Sequence, residues 1–174
     1  MALYEFDGKR PQVPSDSFVH PQAVLIGDVR LGHECLIAPG ACIRADFGPV
    51  IIGDRTSIQD NAVIHVYPGS QTLIGNDVTV AHGAVLHDVQ LKDRCMIGIG
   101  AVLLFNVVCE EDVLVSVSSV VRKGMHVPAG KIVAGNPAVI TRDLTEKDKE
   151  AAREGIEAYR RLCRTYLTTM KTIE

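Results

Sequence analysis

An aliphatic residue recurs every six positions along most of this 174-residue chain, and few architectures accommodate that spacing. The series begins at Val19 and runs through Leu25, Leu31, Ile37 and Ile43. An insertion around Phe47-Gly48-Pro49 interrupts it before Ile52, Ile58 and Ile64. A second insertion, from Tyr67 to Thr72, precedes Ile74, Val80 and Leu86. After a one-residue shortening the series continues as Leu91, Ile97, Leu103, Cys109, Val115, Val121, Val127 and Val133, with only Cys109 breaking the aliphatic rule. Two positions before most of these residues stands a small or moderate side chain, such as Ala23, Cys35, Ala41, Ala62, Ala84 and Ala101.

This double periodicity predicts a mainly β fold, a left-handed parallel β-helix of hexapeptide repeats. Each unit supplies one short strand and one corner of a triangular prism. Three units close a coil, and coils stack at about 4.8 Å, the spacing between hydrogen-bonded strands. The aliphatic side chain fills the interior, and the smaller one packs near the corner. An ordinary α/β domain would instead alternate its strands with amphipathic helices of about 10–15 residues. None is visible before residue 141. The winding is an exception to the right-handed rule for parallel crossovers.

The chain therefore reads as one domain over 1–174, with an N-terminal cap at 1–18, the β-helix at 19–140 and a C-terminal α-helix at 141–174. Glycines and Pro137 within Gly130–Ala138 mark the exit from the repeat. Thr145 is the expected N-cap, with acidic residues in the first turn. Ile156, Tyr159, Cys163, Tyr166 and Met170 recur at helical spacing and give that helix an apolar stripe to lay along the prism.

Composition narrows the function. A net charge of -3 gives no general pull toward nucleic acid or anionic membrane. The basic cluster Tyr159–Arg164 reads as a solvated helix face. No apolar run reaches the length of a membrane span, and Met1–Asp7 lacks the pattern of a signal peptide, so the expected location is cytoplasmic. The five cysteines form no CxxC pair and are odd in number. They read as small core residues of a reducing compartment.

The repeat also places the histidines. If Ile43 lies on one face of the prism, Ile64 and Leu86 return to that face in the next two coils. Arg44, His65 and His87 each follow such a residue by one and form an outward column. Neighbouring imidazoles one coil apart can converge on one ion at metal–nitrogen distances near 2.1 Å. His82 follows Val80 by two and lies on another face beside Asp60, which has the same offset from Ile58. Across a threefold axis, His65 and His87 of one chain and His82 of the next would complete a tridentate site open to water. That arrangement predicts a homotrimer built from heterologous contacts closing into a ring. His20, His33 and His126 have no such partners and read as surface residues.

At Arg44-Ala-Asp46, Gln59-Asp60-Asn61, His65 and His82-Gly-Ala-Val-Leu-His87 the sequence resembles the gamma-class carbonic anhydrase family of hexapeptide-repeat trimers. The repeat resemblance covers about residues 10–140. It implies that His65, His82 and His87 bind zinc, or iron or cobalt, at the subunit interface. It also implies that Arg44 and Asp60 pair between subunits, and that Arg44, Asp46 and Gln59 belong to the catalytic surroundings, with Gln59 orienting the nucleophile. The implied reaction is reversible hydration of carbon dioxide to bicarbonate by a metal-bound hydroxide.

Three positions depart from the family pattern. Phe47 occupies the place of a glutamate after Arg-x-Asp, and the loop Tyr67–Thr72 has no shuttle carboxylate. Phe105-Asn106 stands where many relatives have a small or acidic turn and is positioned to narrow the pocket. Two other functions fit the repeat: an acyltransferase or acyl-CoA thioesterase, and a non-catalytic metal-bound trimeric assembly module. Acyl-CoA turnover indifferent to metal removal distinguishes the first. Bound metal without turnover, together with a stable protein partner, distinguishes the second.

Overall fold

The computed structural model describes residues 2–173, which form a left-handed parallel β-helix of about 7 turns flanked by one α-helix. Parallel pairing stacks equivalent repeat residues directly above one another. One face aligns Leu25, Ile43, Ile64, Leu86, Leu103 and Val121. A second aligns Leu31, Ile52, Ile74, Leu91, Cys109 and Val127. The third aligns Val19, Ile37, Ile58, Val80, Ile97, Val115 and Val133. Every one of these side chains is buried, so each inward position adds transfer free energy, about 1.5–3 kcal/mol for an aliphatic side chain.

Cys109 fits the series because a thiol is a small apolar group. Burial pushes its thiol pKa upward, and raises those of Cys35 to about 11 and Cys95 to about 12. All five cysteines are free. Cys35, Cys95, Cys109 and Cys163 are buried packing residues.

Strand Ala2–Tyr4 caps one end by pairing with Val24–Ile26. At the other end Lys131–Gly135 folds back on Ala138–Asp143 as an antiparallel hairpin. Residues 141–143 of the segment assigned to the helix thus belong to a strand, and the helix itself occupies Glu146–Thr169. Thr145 and Asp148 form a reciprocal capping box at its start.

The helix covers the third face. Cys163 is buried there and donates its thiol to the Cys35 carbonyl at 3.2 Å, while Tyr166 stacks on Phe18. Arg160 and Arg164 both reach Glu34 at a prism corner. Ile156 and Tyr159 of the expected stripe are half-buried, and Met170 lies past the helix as its exposed C-cap. The helix leaves the outer side of the Arg44–His65–His87 column uncovered. No helix among the described residues is long and apolar enough to cross a membrane.

Candidate metal centre

The column is formed by strand pairing. Strands Cys42–Ile52, Val63–His65 and Val85–His87 lie parallel and in register, with Arg44 beside His65 and His65 beside His87. Because strand side chains alternate, burying Ile43, Ile64 and Leu86 turns the following residue of each strand outward. Both insertions follow this column directly: residues 47–49 form an irregularity within the strand Cys42–Ile52, and residues 67–72 lead into the strand Thr72–Ile74.

The histidine rings meet edge to face, with centroids 4.9 Å apart. His65 Nδ1 and His87 Nε2 face one another at 3.1 Å. The opposite nitrogen of each ring meets a carboxylate: His65 Nε2 lies 3.0 Å from Asp46, and His87 Nδ1 lies 2.8 Å from Asp88. A carboxylate only accepts hydrogen bonds, so each outer nitrogen carries the proton. The inner nitrogens of two neutral rings are then lone pairs pointed at one another, an arrangement that calls for a cation between them. Two ligands about 2.1 Å from a tetrahedral ion stand about 3.4 Å apart, within a few tenths of an ångström of the observed separation. The residues fit a divalent metal.

Arg44 reinforces the column. It donates to Asp46 at 2.6 Å and lies 3.3 Å from His65 Nδ1. Burial alone raises the Asp46 pKa, but the hydrogen bonds from Arg44 and His65 outweigh it and hold the carboxyl below its ordinary range.

His82 stands elsewhere, on the corner after Val80, with Nδ1 2.7 Å from Asp60. Among the described residues of one chain, no group of three or more His, Cys, Asp or Glu side chains is arranged to hold an ion. The structure therefore brings together Arg44, Asp46, His65 and His87, and it places His82 with Asp60 apart from them. Within the chain Asp60 binds His82, and Arg44 binds Asp46 and His65. Gln59 is buried beside that second corner, next to Asp60.

Aromatic rings frame the histidine pair. Phe47 lies 5.7 Å from His65, Phe105 lies 4.5 Å from His87, and Tyr67 stands edge-on to Phe105 at 6.3 Å. An open cleft of ≈ 400 Å³ beside them is lined by Tyr67, Ser70, Asp88, Phe105, Asn106 and Lys123. The one residue of this centre that sequence reasoning passed over is Asp88. Its only signal was an acidic residue directly after a histidine at a corner position.

No family model matches the chain. It is 39% identical over 146 residues to "Gamma carbonic anhydrase 1, mitochondrial" of Arabidopsis thaliana, covering 80% of this chain and 53% of that protein. The chain thus spans about half the length of this plant relative. It is 32% identical to the "Carnitine operon protein CaiE" of Salmonella agona, over 99% of this chain and 89% of that one. Among solved structures, a Bacillus cereus protein with a provisional acetyltransferase assignment superposes with a TM-score of 0.95. The two are 30% identical, over 97% of this chain and 98% of the other.

Proposed function

Because the chain belongs to the gamma carbonic anhydrase-like family of hexapeptide-repeat proteins, we propose that it catalyses reversible hydration of carbon dioxide to bicarbonate. The reaction takes place at metal sites shared between the copies of a homotrimer. His65 and His87 of one copy and His82 of its neighbour hold the metal. The observation that carries the reading is the facing pair of inner nitrogens, each ring backed by its own carboxylate. A divalent cation, zinc or alternatively iron or cobalt, supplies a coordinated water whose pKa falls toward about 7.

The chain's own residues prepare the rest. Asp46 and Asp88 orient the two rings, and Arg44 fixes Asp46. Asp60 does for His82 what the other carboxylates do for their partners. In the trimer Asp60 would also come within reach of the neighbour's Arg44, and Gln59 would orient the nucleophile. The trimer is supported by exposed aliphatic residues along the same edge of the prism. Ile99 and Val117 stack under His82 on its corner, 53% and 64% exposed. Val63 and Val85 stack beside the column on the adjoining strand face. An exposed apolar ridge of this kind marks an interface.

Stopped-flow hydration of carbon dioxide between about pH 7 and 9 tests the activity. The protein would be purified anaerobically, loaded with zinc or iron, and compared with His65→Ala and chelated samples. Metal-dependent hydration lost in His65→Ala is expected. No rate above controls in a fully loaded trimer would contradict it.

One observation favours a second reading, acyl-group chemistry on a thioester. The aromatic-lined cleft is far larger than carbon dioxide needs, and the superposed Bacillus cereus protein carries an acetyltransferase assignment. Acyl-CoA turnover that survives metal removal would select it.

A further inference from the structure

Among the described residues, two carboxylates are buried, Asp28 and Asp88. Asp28 is bonded to the guanidinium of Arg30 at 2.8 Å and 3.0 Å. Asp88 has no cationic Arg or Lys partner. Its backbone turns a prism corner with φ +54°, as Asp77 and Asp112 do at other corners. Those two carboxylates are partly exposed and take Arg55 and Arg94 as partners. That of Asp88 is folded inward and divided between two donors. One oxygen accepts the backbone N–H of Tyr67 at 2.6 Å, and the other accepts from His87 Nδ1 at 2.8 Å.

The Tyr67 bond fixes the start of the loop that lines the cleft through Tyr67 and Ser70. Its far end is tied as well, because Thr72 donates its hydroxyl to the His65 carbonyl at 3.0 Å. The loop is thus fastened at one end to His87 through Asp88, and at the other to the backbone of His65.

We propose that Asp88 is a positioning residue with two linked tasks. It holds His87 in the Nδ1–H form, so that Nε2 offers its lone pair toward His65, and it locks the Tyr67–Thr72 loop to that same ring. The position of the cleft wall and the aim of the ligand are then set by one carboxylate. The proposal rests on the reading of His87 as a metal ligand. Outer partners of this kind, when removed, typically lower metal affinity by about 10–100-fold.

The test uses the full chain labelled with 15N-histidine. Two quantities are read: the His87 tautomer of the metal-free protein by long-range 1H–15N correlation, and zinc affinity by competition with a chromophoric chelator. Asp88→Gly suits the left-handed corner and removes both hydrogen bonds without demanding a new backbone. Asp88→Asn keeps the shape. Its carbonyl is claimed by the Tyr67 N–H, which turns its amide N–H toward His87 and favours the wrong tautomer.

The expected results are Nδ1–H in the parent, a mixture in Asp88→Gly and Nε2–H in Asp88→Asn, with zinc affinity lowered about 10–100-fold in both variants. An unchanged tautomer in both variants, with zinc affinity within about twofold of the parent, would overturn the proposal. If the parent binds no zinc, the metal reading fails by itself. The tautomer in the metal-free chain then still decides the role of Asp88.

Discussion

Asp46 takes hydrogen bonds from both Arg44 and His65, and its carboxyl is held below the usual range by them. Asp46→Asn would keep the volume but leave one carbonyl oxygen for two donors; Arg44 claims it, and the amide N–H group then faces His65 Nε2 where an acceptor stood. We expect zinc affinity to fall about 10–100-fold with little change in melting, measured by chelator competition. Gly27 acts on the same strand from behind. Its φ is +76°, and a Cβ there would meet the Ala45 carbonyl oxygen at 2.4 Å. Gly27→Ala should destabilise the fold by about 1–3 kcal/mol through backbone strain alone, with a further loss from displacing Ala45 between Arg44 and Asp46. Denaturant midpoints check it. A core truncation such as Ile64→Ala, below His65, should cost about 2–5 kcal/mol.

At the scale of elements, the helix carries a pH signature. Hydrogen bonds from Arg142, then from Thr145, hold the Asp148 carboxyl well below its ordinary value. A carboxyl depressed in the folded state stabilises above its unfolded pKa, near 3.9, and that contribution disappears as pH falls through the folded value. The helix cap should therefore loosen only below about pH 4. Asp148→Asn should flatten the acid slope of thermal stability there and leave behaviour at higher pH with no new titration. Thr145→Ala should cost about 1 kcal/mol at neutral pH by removing the other half of the box.

The cap itself was legible in the sequence, because Thr145 and its acidic followers are a local signal. The antiparallel hairpin Lys131–Asp143 was not. Its glycines and Pro137 read as an exit turn, and nothing local told the returning strand from the approach to a helix.

At the scale of the molecule, the interior was readable because a period of six leaves one inward position per unit, from Val19 to Val133. The neighbours His65 and His87 were readable for the same reason: counting coils gives backbone register. Counting does not give rotamers. The pairing of Asp88 with His87 depends on a side chain turning at a corner, beyond the reach of a period, whereas the meeting of Asp60 with His82 followed from their equal offsets in the repeat. Phe47 and Phe105 were picked out by departing from the family pattern, and the structure sets both against the histidine rings.

Mixed trimers would reveal whether each metal site is divided between two copies. One variant, His65→Ala with His87→Ala, keeps only His82. The other, His82→Ala, keeps only the pair. Each alone should bind no zinc tightly. In a mixed trimer the pair of one chain meets the His82 of another at a single interface. One tightly bound zinc per mixed trimer is therefore expected, measured by native mass spectrometry with metal analysis. Mixed trimers that stay metal-free, or a His82→Ala homotrimer that binds zinc as tightly as the parent, would contradict it.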